Sequence, residues 1–80
     1  MNKNKYINVK EFLKFDKEDV LIVHKSLLSE TTEDKLTNIL LVNSCISIPS
    51  KQKLFIIQKL LAYPKFIRKI IAEQLLKIYE

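Results

Sequence analysis

His24 and Cys45 are the chain's single histidine and single cysteine, the two side chains best suited to hold a soft metal ion or act as base and nucleophile. A metal site needs several ligands at a defined spacing, and no motif joins these two. A catalytic thiol needs a base beside it and a lowered pKa. Nothing around Cys45 supplies either, so the expectation is a buried apolar thiol, with His24 an ordinary helix residue. The carboxylate pairs Glu18/Asp19 and Glu33/Asp34 could do acid and base work. Each falls where a helix should begin, however, and there the helix dipole already favours negative charge. No catalytic residue, metal ligand or cofactor is expected, and an enzyme is not.

Glycine is absent from all 80 residues. Phosphate-cradling loops and dinucleotide fingerprints need glycine, so both are excluded. Hairpins of the Asn-Gly type are excluded as well, which lowers the odds of a β-rich fold. Helices must also end without the usual left-handed glycine, and Asn43 is a candidate substitute.

Two groups of residues remain as candidates for binding. The formal charge is +5, and it is uneven. Residues 51–80 carry seven basic residues against Glu73 and Glu80, while residues 1–50 carry seven against seven acids. Lys51, Lys53, Lys59, Lys65, Arg68 and Lys69 flank Pro64 and would suit phosphate groups or an acidic protein surface. Arg68 is the one arginine, which argues against base-edge reading of DNA. The second group is apolar. Hydrophobic residues make up 48% of the chain, yet a domain this small buries only about 60–65% of its unfolded surface. Phe55, Ile56, Phe66 and Leu76 lie off the narrow inner stripes of their helices and are the candidate apolar contact surface.

These candidates must be positioned by helices. The stretch from Ser50 to Tyr79 organises the chain. Ser50 stands where an N-cap belongs, and Leu54, Ile57, Leu60 and Leu61 recur at helical spacing. Pro64 cannot donate to Leu60, and it pushes Tyr63 toward an extended backbone. The expectation is two helices meeting at a Pro64 corner, the second starting near Pro64; one helix kinked there is the alternative. Ile67, Ile70, Ile71, Leu75 and Ile78 form the second helix's inner stripe.

Upstream, residues 1–6 read as a flexible arm. Asn8 with Glu11 has the spacing of a capping box, and Ile7 with Phe12 that of a hydrophobic staple. A short helix is expected from about Val9 to Phe15. Asp16 should cap the next helix, where Val20, Val23, Leu27, Leu21 and Leu28 share a face. Val20 to Val23 could instead be a short buried strand. Thr31 with Asp34 marks a third start, followed by a stripe of Leu36, Ile39, Leu40, Asn43 and Ile46.

The whole reads as an all-α single domain over residues 1–80, a compact bundle of four to five short helices. One unpaired cysteine and no apolar signal core point to the cytoplasm, and no run is long enough for a membrane span. The expected function is a small helical protein-binding module, a regulator or inhibitor acting by occupying a partner's surface, with a homodimer as one form of it. The alternative is a nucleic-acid-binding protein using the Lys-rich C-terminal helices.

Overall fold

A computed structural model of the chain describes residues 7–78. The expected arm at residues 1–6 lies outside them. The described residues form one 3-10 helix (Val9–Lys14) and four α-helices: α1 (Lys17–Leu27), α2 (Thr32–Ser44), α3 (Ser50–Ala62) and α4 (Lys65–Lys77). This is the all-α bundle expected, with no strand among these residues. None of the helices is long and apolar enough to cross a membrane.

α1 is the central element. It packs against α2 on one side and α4 on the other, α3 packs against α2, and the 3-10 helix packs against α4. Val20, Val23 and Leu27 carry the core face of α1. The small Ser26 beside them is wholly buried, and its hydroxyl donates to the carbonyls of Ile22 and of Asn38 on α2, at 2.9 and 3.2 Å. Val42 and Cys45 meet them from α2, Ile56 and Leu60 from α3, and Ile71, Ala72 and Leu75 from α4. Phe12 and Phe15 close one end edge to face, with ring centroids 5.6 Å apart. The radius of gyration is 11.5 Å, close to the roughly 11.6 Å of a normally packed domain of this length. Apolar groups left outside are therefore not the product of a loose fold.

The starts of the elements follow the local signals, with changes in detail. Asn8 accepts from Lys10 N–H at 3.1 Å, but Glu11 does not complete a capping box; its carboxylate accepts from Gln52 Nε2 instead. Thr31 Oγ1 accepts from Asp34 N–H at 3.1 Å, as its spacing predicts. Asp16 precedes α1 without a side-chain cap bond, and Pro49, not Ser50, is the residue that precedes α3. Tyr63 and Pro64 are both extended, so α3 and α4 are two helices and not one kinked helix. The Tyr63 hydroxyl accepts from Ile7 N–H at 3.0 Å, which ties that corner to the start of the described chain.

The faces differ more than the boundaries. On α2 most of the expected stripe points outward: Leu36, Leu40, Asn43 and the following Ile46 are exposed, Ile39 is half-buried against the core, and Asn38, Val42 and Cys45 go inside. On α3, Leu54 and Leu61 are exposed, while Ile56 is buried beside Leu60. Leu21 and Leu28 of α1 and Ile70 of α4 are also outside. Asn43 does not provide a left-handed helix end; it lies within α2, and no described residue has a positive φ.

Candidate functional site

Without glycine, the helices end in another way. Arg68 of α4 is 3% exposed. Its Nη1 donates to the carbonyls of Ser29 and Leu27, at 2.6 and 3.4 Å, just where α1 ends. Those carbonyls carry the negative end of the helix dipole, so a guanidinium is a suitable partner for them. Its Nε and the Ser29 hydroxyl are buried and have no protein partner. Lys53 of α3 does the same for α2, donating from Nζ to the Asn43 carbonyl at 2.9 Å.

The expected basic surface is thereby largely engaged within the molecule. Arg68 is a core residue, which corrects its placement as a surface contact: its charge is satisfied by the end of α1. Lys65 pairs with Glu30 at 2.7 Å, both well exposed. The hydrogen bond and charge of Lys65 hold the Glu30 carboxyl below its ordinary range, with a smaller contribution from Lys69. Lys59 stands over the Phe55 ring, 5.2 Å from its centroid. Lys51 and Lys69 remain as exposed cations on separate helices.

The expected apolar surface is also redistributed. Ile56 is buried, so it is removed from the contact surface; it points the same way as Leu60 along α3. Phe55 is half-buried against the 3-10 helix, and Phe66 and Leu76 are exposed on α4. The fuller apolar surface lies elsewhere. Leu36 and Leu40 of α2 are 59% and 69% exposed, and Leu54 and Leu61 of α3 are each 58% exposed. Between the two helices runs an open groove of about 470 Å³ lined by Ile39, Asn43, Ser50, Lys53, Leu54 and Ile57. Helical spacing puts Leu36 and Leu40 along one bank and Leu61 along the other. The residues of this face were visible in the sequence, but as an inner stripe.

The chemical candidates are positioned as follows. His24 is half-buried on α1. Cys45 is buried, with its thiol near the carbonyls of Leu41 and Asp19, at 3.6 and 3.9 Å. Burial, then the charge and hydrogen bonding of Asp19, push the thiol up to about 11; at neutral pH it is not a nucleophile. Asp19 is buried in the first turn of α1. Its carboxylate accepts from both the backbone N–H (2.8 Å) and the hydroxyl of Ser47. Burial pushes its pKa up, but the hydrogen bonds from Ser47, Cys45 and Ile46 outweigh this and leave it below the ordinary value. The Ser47 hydroxyl also accepts from Asp16 N–H at 3.1 Å. Asp19 thus anchors the loop after α2 to the start of α1. Among the described residues, no group of three or more His, Cys, Asp or Glu is arranged to hold a metal.

Compared with known proteins, the chain matches no family model, no curated protein and no solved structure.

Proposed function

We propose that this protein is a small non-enzymatic helical module that acts by occupying the surface of another protein, in the manner of a regulator or inhibitor. The observation that carries the reading is the α2–α3 face, where four exposed leucines flank a groove floored by half-buried isoleucines. A normally packed domain leaves single leucines outside without consequence, but a contiguous set is characteristic of a docking surface. Helix-in-groove binding uses this kind of surface. A cytoplasmic setting accords with a chain whose one thiol is buried and unpaired.

The size of the effect can be bounded. Fully burying a leucine is worth roughly 1.5–3 kcal/mol, and these four have a little over half of that still to gain. Together they offer roughly 4–8 kcal/mol gross, against an association cost of about 4–15 kcal/mol. The leucines alone give weak binding, so a partner must add contacts of another kind.

The nucleic-acid alternative loses support from the same geometry. A phosphate-binding surface needs several free cations on one face, whereas Arg68 is buried, Lys65 is paired with Glu30, Lys59 stands over the Phe55 ring, and Lys53 alone lines the α2–α3 groove.

The test is capture of partners from the native host with the wild-type chain and with Leu54→Glu, Leu61→Glu as control. The expected result is one protein held by the wild type and released by the variant. Equal recovery on both would overturn the reading, and a salt-sensitive shift of random duplex by the pure protein would favour the alternative.

A further inference from the structure

From Leu36 to Ala72 the chain contains no aspartate or glutamate, a run of 37 residues that spans most of α2, all of α3 and the first half of α4. The acids of residues 11–34 lie on the 3-10 helix, on α1, in the links before and after α1 and at the start of α2, and on the α2 stripe Glu33 stands one turn before Leu36. Within the groove the only ionisable wall residue is Lys53.

One end of the groove is electropositive for a second reason. Ser50, on its wall, opens α3, and Pro49 before it offers no side-chain cap. The first turn of α3 also has no acid. Glu11 of the 3-10 helix comes to this turn, but it accepts from the Gln52 side chain at 3.3 Å, so the positive end of the helix dipole is met only in part by this chain. Lys53 stands one turn further on. Its ammonium gives one hydrogen to Asn43 and has two more to give.

We infer that the α2–α3 groove receives an acidic amphipathic helix of another protein, whose apolar stripe lies along Ile39, Leu54 and Ile57 and whose carboxylate sits at Ser50 and Lys53. The inference rests on the proposed function and names the partner's chemistry. A second copy of this chain is the poorer occupant, because a groove lined by lysine and no carboxylate brings lysine toward lysine when mated with itself. Opposite charge also supplies what the leucines lack, a rapid and selective encounter.

The test is selection against the full chain from a displayed library of helical peptides about 16 residues long. Leucine is fixed along one i, i+3, i+7 stripe and all other positions are random. The expected outcome is enrichment of aspartate and glutamate beside the stripe. The best peptide should lose about tenfold in affinity with Lys53→Gln, which keeps a donor for Asn43 but removes the charge, and should weaken as salt rises. Leu54→Glu should abolish its binding while circular dichroism shows the helices intact.

Peptides without acidic excess, indifference to Lys53→Gln, or no enrichment at all would overturn the inference. So would self-association of the free chain in sedimentation, or binding to phosphatidylserine vesicles, if either is lost with Leu54→Glu. A host partner that docks on this face without an acidic helix would remove this inference and leave the proposed function standing; absence of any partner would remove both.

Discussion

Replacing Arg68 with alanine should destabilise the fold by about 3 kcal/mol, read by urea denaturation, because it leaves the Leu27 and Ser29 carbonyls buried without a donor. Arg68→Met should cost nearly as much, since it restores packing but not the donors. If methionine proves neutral, the side chain matters for volume and not for closing α1. Asp19 gives a prediction in pH. Its folded pKa lies below its unfolded value near 3.8, so the stability it adds is complete above that value and is lost as pH falls through the folded pKa. Wild type and Asp19→Ala should therefore differ most in melting temperature at neutral pH and converge as pH falls below the folded pKa of Asp19. A gap that stays constant into strong acid would show that the carboxylate's charge contributes nothing.

At the scale of helices, the exchanged faces make a paired prediction. Leu54→Glu should change stability by less than about 0.5 kcal/mol, while Leu60→Ala on the other side of α3 should cost about 2–5 kcal/mol. Calorimetry on the two variants decides which side faces inward. Helix number and boundaries were legible because their signals are local: Asn8 and Thr31 accept from nearby N–H groups, and Pro64 cannot continue a helix. Orientation was not legible, because α2 and α3 carry apolar residues on both sides and periodicity alone cannot choose between them. Polar residues added to the ambiguity. Asn38, Ser26 and Arg68 would each be assigned to solvent from sequence, yet all three are inside, where bonds to distant backbone or close helix contact accommodate them. Of the site, the six basic residues and the apolar excess were visible in composition, but which of them remain outside depended on partners 4 to 41 residues away.

For the whole molecule, the distribution of charge and of oil matter together. Acids gather in the first half of the chain and are absent from Leu36 to Ala72, the stretch that also supplies the exposed leucines of α2 and α3. The proposed docking face is thus greasy and cationic, and its partner preference should respond to salt more than its stability does. Raising salt from about 50 to 200 mM should leave the melting temperature within a few degrees while weakening peptide capture, since the exposed ion pair Lys65–Glu30 adds little to the fold.

The closure of helix ends by remote side chains has a consequence for how this protein opens. α1 is finished by α4 and begun by the loop after α2, while Tyr63 holds Ile7 from 56 residues away. Both ends of α1 are met only when the loop after α2 and α4 are in place, so unfolding should be concerted rather than piecemeal. Native-state amide exchange would express this as protected hydrogens in α1, α2 and α4 converging on a common free energy of opening, instead of a ladder of separate ones. A truncation that removes α4 should leave α1 frayed, not merely uncovered.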